Sequence, residues 1–222
     1  MPYSEMTRIL AIRHGETTWN VDSRIQGQLD IGLNALGRRQ AECAARHLAD
    51  EGLDAIYSSD LQRAHDTALA LAQPAGLAVQ ADAGLRERRF GVFEGRTFAE
   101  IDAEWPELAL RWKRRDPDFG APGGETLAEF YDRCVATATR LAAAHAGQTL
   151  ALVTHGGVLD CLYRAATRIE LNAPRTWTIG NTSINRLLWT PDGFTLVGWG
   201  DTQHLDGLDA VLDEASDGGR AG

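Results

Sequence analysis

Two short apolar runs in this chain stop on the same pair of residues. Residues 8–13 (RILAIR) run into His14-Gly15, and residues 149–154 (TLALVT) run into His155-Gly156-Gly157. Apolar runs of this length bounded by glycine read as buried strands, so each strand delivers a histidine at its carboxyl end. The segments around them alternate in the same manner. Residues 34–50 have helical spacing, with Leu36, Cys43, Ala44 and Leu48 on one side, Arg38, Arg39 and Glu42 on the other, and Asn34 as a cap. Residues 55–58 form a third strand, and Ser59 or Asp60 can cap a helix over 61–72 that Pro74-Ala75-Gly76 breaks. A strand over 77–80 follows. Residues 125–145 form a long amphipathic helix after Pro122-Gly123-Gly124, with Leu127, Phe130, Tyr131, Cys134 and Leu141 as its core stripe. A helix over 158–166 follows the second His-Gly, and residues 183–189 and 194–199 close the pattern as a hairpin about Pro191-Asp192-Gly193. Such alternation predicts an α/β fold with a mostly parallel sheet, in which ligands gather at the carboxyl edge of the strands.

Composition narrows the partners. The chain has 222 residues with no internal repeat and no linker, so it is expected to form one domain over 1–222, with 216–222 a disordered polar tail. A formal net charge of −9 argues against nucleic acid or a polybasic membrane anchor. No stretch approaches the roughly 20 apolar residues of a spanning helix, and no secretory leader is visible. The 3 cysteines, Cys43, Cys134 and Cys161, are widely spaced and form no C-x-x-C, which suits a reducing cytoplasm and argues against a disulfide framework or a thiolate zinc site. Lys113 is the sole lysine, so an arginine has to be weighed by where it sits and not by how many there are.

Four segments carry polar chemistry. In Arg13-His14-Gly15-Glu16-Thr17, glycine lets an anion come close to the imidazole while the arginine offers a planar fork to phosphate oxygens. Ser58-Ser59-Asp60-Leu61-Gln62-Arg63 puts a second arginine on the first turn of a helix, where the macrodipole already favours an anion. Thr154-His155-Gly156-Gly157 repeats the first design. Leu85-Arg86-Glu87-Arg88-Arg89 sets a carboxylate among arginines. Singly, these are a turn histidine, a solvated arginine and a loop acid.

Jointly they resemble the histidine phosphatase superfamily, the group that includes the cofactor-dependent phosphoglycerate mutases. RHGET-x-WN, S-D-L-x-R-A, L-R-E-x-x-x-G-x-x-E-G, P-G-G-E-T and THGG all stand in order between Ile9 and Thr202. The resemblance implies a three-layer sandwich, a mostly parallel central sheet flanked by helices. It also implies that His14 is a nucleophile forming a phosphohistidine, that Arg13, Arg63 and His155 surround the transferred group, and that Glu87 is the proton donor. Gly15, Glu16, Thr17, Asn20, Gln26, Gly27, Lys113, Arg114 and Gly156 are the implied substrate contacts. The implied ligand is an anionic phosphorylated small molecule, bound without metal or cofactor by a monomer or homodimer. His47, His65, His145 and His204 lack such a context and read as structural or exposed.

Departures separate hydrolysis from mutase chemistry. Mutases of this family carry E-R-H-Y-G-x-L-x-G after the acid, then a lysine. Here Phe90 replaces the tyrosine, the lysine is missing and the stretch from Glu87 to Gly123 is compact. These features resemble the small bacterial phosphatase branch. Trp112-Lys113-Arg114-Arg115, in contrast, resembles a mutase segment that grips a carboxylate. Asn181-Thr182-Ser183 and Gly200-Asp201-x-x-His204 resemble a bacterial mutase-like subgroup. The alternative is therefore a 2,3-bisphosphoglycerate-dependent phosphoglycerate mutase, which would need that bisphosphate as cofactor. A more remote one is a non-catalytic phospho-ligand binding protein, which predicts the loss of His14 or Glu87.

Overall fold

The computed structural model describes residues 6–206 and 208. Six strands form its sheet: β1 (Thr7–Arg13), β2 (Ala55–Ser58), β3 (Val79–Ala81), β4 (Thr149–Thr154), β5 (Ile184–Thr190) and β6 (Gly193–Asp201). Their order is β3-β2-β4-β1-β5-β6. The pairings β3-β2, β2-β4 and β4-β1 are parallel, while β5 is antiparallel to both its neighbours. Five of the six strands therefore run one way. This is the α/β class expected from the sequence, closed at one edge by the expected hairpin.

The central strands are apolar on both faces, and the two-residue period sorts their side chains into two cores. Ile9, Ala11, Leu150 and Leu152 enter one core. Leu10, Ile12, Ala151 and Val153 enter the other. Among the helices, after a short α1 (Thr18–Val21), α2 (Ala35–Leu48) and α3 (Gln62–Ala75) cover the second face. Two helices that the sequence reading did not anticipate follow, α4 (Phe98–Glu104) and α5 (Pro106–Lys113). The first face is covered by α6 (Leu127–Ala143) and α7 (Gly156–Thr167). Phe130, Cys134, Leu141, Val158 and Leu162 are buried there, at about 1.5–3 kcal/mol for each large apolar side chain removed from water. Tyr131, counted in the same stripe, is only partly buried.

Local chemistry sets the helix ends. Asn34 caps α2 as expected, its side chain accepting from Gly37 N at 2.7 Å. Thr126 and Glu129 close a capping box on α6. The cap of α3 differs from expectation. Leu61 holds the cap position and offers no side-chain acceptor, while Asp30, distant in sequence, accepts from Gln62 N at 2.7 Å. Pro74 lies inside the last turn of α3, and the helix stops at Gly76 in the left-handed conformation. The second His-Gly is tighter than expected, because α7 starts at Gly156 with His155 itself as the cap.

A third core of Ile25, Phe90, Phe93, Ile101, Ala109, Trp112, Phe119 and Ala121 joins α4 and α5 to the loops beyond the strand ends. No helix among the described residues is long and apolar enough to cross a membrane. The tail expected over 216–222 lies outside the described residues.

Candidate active site

β1 and β4 are adjacent and parallel, with Arg13 in register with Thr154. Their carboxyl ends therefore bring His14 and His155 together, with ring centroids 5.2 Å apart and planes inclined by 59°. His14 is held at every backbone group. Its N–H donates to the Thr154 carbonyl at 2.9 Å, and its own carbonyl accepts from Asn181 Nδ2 at 3.0 Å and Thr182 N at 3.3 Å. Its ring Nδ1 lies 2.7 Å from the Gly15 carbonyl oxygen. A carbonyl only accepts, so Nδ1 carries the proton and the lone pair is on Nε2. Burial, then the charges of Arg63 and Arg13, hold the His14 pKa well below the ordinary 6.5. The ring is neutral at neutral pH, with its lone pair on Nε2.

The surrounding charge is positive. Arg13 is buried and donates through Nη1 to the Ile179 carbonyl at 2.7 Å. Arg63, on the first turn of α3, is fully buried and bonds the carbonyls of Leu29 and Gly27 at 2.9 and 2.7 Å. Burial lowers its pKa to about 10, Glu87 opposing the shift, and it stays cationic at neutral pH. His155 is fully buried, and burial followed by Arg63 keeps its pKa well below 6.5. Neither of its ring nitrogens bonds a protein group. Buried polar atoms without protein partners mark places where a ligand completes the bonding, and here the surroundings select an anion.

Glu87 enters from the loop after β3. Its Oε1 accepts from Arg88 N at 2.8 Å and its Oε2 from Gly157 N, in the first turn of α7, at 3.0 Å. A Cβ at position 157 would lie 2.3 Å from Glu87 Oε1, so the approach of the acid requires glycine there. A similar contact fixes the His14 loop, where a Cβ on Gly15 would meet the Gly37 carbonyl oxygen at 2.4 Å.

Arg13, His14, Arg63 and Glu87 line one cleft together with Asn20, Gln26 and Gly27. These seven are brought together as the sequence implied. Trp19, Ser23, Arg24, Ile25 and Phe90 complete its wall. Other expected contacts face elsewhere. Gly15 N donates to Thr67 Oγ1 at 3.0 Å, Glu16 Oε1 accepts from Asn34 Nδ2 at 2.7 Å, and Thr17 caps α1 with Asn20. Gly156 is the first residue of α7 and is not in the cleft wall. Lys113 and Arg114, expected as substrate contacts, lie outside the cleft wall. Both are exposed, Lys113 Nζ bonds Asp102 at 2.6 Å, and Arg114 merely ends α5. Arg115 is buried in an ion pair with Asp160 at 2.6 Å. Asn181 and Thr182, expected only as part of a subgroup motif and not as site residues, clamp the His14 carbonyl.

Residues 9–202 match the family profile of the histidine phosphatase superfamily (branch 1). The chain belongs to that family. It is 39% identical over 206 residues to phosphoglycerate mutase-like protein 4 of Arabidopsis thaliana, covering 91% of this chain and 88% of that one. Identity is 36% over 222 residues to the glucosyl-3-phosphoglycerate phosphatase of Mycobacterium tuberculosis, covering 95% and 97%. It is 36% over 211 residues to a metal-independent phosphoserine phosphatase of Arabidopsis thaliana, covering 92% and 86%. A solved mycobacterial glucosyl-3-phosphoglycerate phosphatase in complex with VO3 superposes with a TM-score of 0.77 at 35% identity, covering 87% of this chain and 98% of that one.

Proposed function

We propose that this protein hydrolyses small phosphate monoesters through a phosphohistidine on His14, without metal or cofactor. The observation that carries the reading is the Nδ1–Gly15 bond, which presents the Nε2 lone pair inside a buried cationic cleft. Nε2 attacks phosphorus, the P–O bond to the alcohol breaks, and Glu87 protonates the departing oxygen. Water then attacks the phosphohistidine and yields its proton to Glu87, the P–N bond breaks, and phosphate leaves. Arg13, Arg63 and His155 stabilise charge on the equatorial oxygens through both steps. The cavity is about 30 Å³, against roughly 10–15 Å³ for one water. That suits a phosphoryl group at the base with the rest of an ester toward the mouth.

Water as acceptor is favoured over a phosphoglycerate by the residues that do not reach the cleft. A mutase has to grip a glycerate carboxylate and protect its phosphohistidine from water. Lys113 and Arg114 point elsewhere, and Phe90 brings no hydroxyl to the wall. A binding protein without turnover would have no need of His14 and Glu87 together. The seven site residues come from one chain, so either a monomer or a homodimer is compatible with turnover. Cys43, Cys134 and Cys161, widely spaced and with no C-x-x-C, suit a reducing, cytoplasmic setting.

The test is a panel of phosphorylated metabolites including 3-phosphoglycerate, with and without 2,3-bisphosphoglycerate, following both free phosphate and 2-phosphoglycerate. Phosphate release that survives EDTA and ignores the bisphosphate is expected. Isomerisation that depends on the bisphosphate and outruns phosphate release on every ester would assign the mutase reaction instead.

A further inference from the structure

His204 lies outside the cleft wall, yet it stands one hydrogen bond behind the backbone clamp of His14. After β6 the chain makes a 3₁₀ turn over Gln203–Leu205, and Leu205 anchors that turn by being buried. His204 Nε2 lies 3.2 Å from Thr182 Oγ1. Thr182 is fully buried and adopts φ 52°, a left-handed conformation that a β-branched residue holds only when its surroundings enforce it. The N–H of this strained residue is shared between the carbonyls of Arg13 at 3.1 Å and His14 at 3.3 Å. Its neighbour Asn181 donates to the same His14 carbonyl at 3.0 Å. The side-chain bond at Thr182 and the backbone bonds to Arg13 and His14 thus belong to one residue. On its other side the His204 ring packs on His47, centroids 5.6 Å apart, and His47 faces Asp201 at 3.9 Å. Burial and His47 lower the His204 pKa to about 4, so the ring is neutral and the bond to Thr182 is constant over the neutral range.

We infer that His204 is a positioning residue, which by holding Thr182 in its strained conformation fixes the Arg13–His14 backbone and the aim of His14 Nε2. This rests on His14 being the nucleophile. The competing account is a staple that ties the end of the chain to the core and affects stability alone. A misaimed nucleophile and a loosened staple differ in kcat at temperatures where the protein is fully folded.

The experiment compares His204→Ala, Thr182→Val, their double variant and His204→Gln, with His14→Ala alongside. Steady-state kinetics on an aryl phosphate are run well below each melting temperature, with folding checked by circular dichroism. Each single variant should lower kcat about tenfold, the effect of one buried hydrogen bond, with KM within about twofold. The double variant should be no slower than the worse single, because both remove the same bond. His204→Gln, whose amide reaches the position of Nε2, should recover most of the loss. Wild-type kcat in folded His204→Ala or Thr182→Val, with only the melting temperature lowered, would overturn the inference, as would multiplicative losses in the double variant. If His14→Ala is inactive while His204→Ala is fully active, the positioning role alone falls. If His14→Ala turns over normally, the nucleophile assignment falls and takes this inference with it.

Discussion

Gly157→Ala tests the acid without touching the acid. The added methyl group would sit 2.3 Å from Glu87 Oε1 and 3.0 Å from Phe130 Cε1. Ordinary contact begins near 3.4 Å, so the carboxylate has to retreat by about 1.1 Å or α7 has to shift. Gly157 is helical and not in the left-handed region, so the cost is steric. Overpacking of this kind typically destabilises by about 1–3 kcal/mol. The catalytic consequence is larger for some substrates than for others. Displacing a reacting group by about 1 Å costs on the order of 10²-fold, within the roughly 10²–10⁴-fold that a general acid contributes. An alkyl phosphate, whose leaving oxygen needs the proton, should lose about 10²-fold in kcat/KM. An aryl phosphate, whose phenolate leaves unaided, should lose less than about fivefold. Initial rates on both esters below the melting temperature decide the matter. Equal losses on the two would show that Glu87 is not the proton donor, and unchanged rates on both would show that the Gly157–Glu87 contact does not set its position.

Two further outcomes follow from the same geometry. Stability should fall as pH drops below about 6.5, because His14, His155 and His204 have depressed pKa values in the fold. The unfolded chain then binds more protons than the native one, so stability is full above 6.5 and is lost as pH falls toward the folded pKa, at up to about 1.4 kcal/mol per pH unit for each of the fully buried His14 and His155 and less for the partly exposed, solvent-screened His204. Urea melts at pH 7.5 and 5.5 check this, and a flat or opposite trend contradicts the buried neutral rings. Lys113→Ala and Arg114→Ala should leave kcat/KM within about twofold on every ester, since neither side chain reaches the cleft. A tenfold loss on 3-phosphoglycerate in either variant would restore the carboxylate grip of a mutase.

The strands and the core of the site were legible because their determinants are local. Each central strand announces itself by an apolar run, and the residue after the run is delivered to the carboxyl edge wherever the strand sits in the sheet. His14 and His155 were therefore placed at that edge by position alone, while their roles and that of Arg63, on the helix after β2, came from the family motifs. Glu87 needed the family motif, since a loop acid carries no periodicity. What escaped depends on contacts distant in sequence. Asp30 caps α3 from another loop, a partner that no local pattern predicts. α4 and α5 are short and are held by Phe93, Trp112 and Phe119 in a core of their own, not by a long amphipathic stripe. Lys113, Arg114 and Arg115 form a charge run whose members face different ways, two outward and one into a buried pair with Asp160. The helix ends at Lys113 with Arg114 as its cap, and Arg115 then turns inward through a left-handed backbone with φ 51°. Glu16 sits inside the nucleophile motif yet binds Asn34 at the cap of α2, so a residue can belong to the motif by holding the loop and not by touching the ligand.

The central claim is a phosphoryl group carried on His14 and passed to water. Incubating the protein briefly with a 32P-labelled phosphoester, quenching in base and mapping the labelled peptide tests it most directly. Label is expected on the peptide containing His14, stable in base and released by acid, turning over to inorganic phosphate without any added acceptor and absent in His14→Ala. Label on another residue, or full turnover in His14→Ala with no labelled protein, would contradict the account.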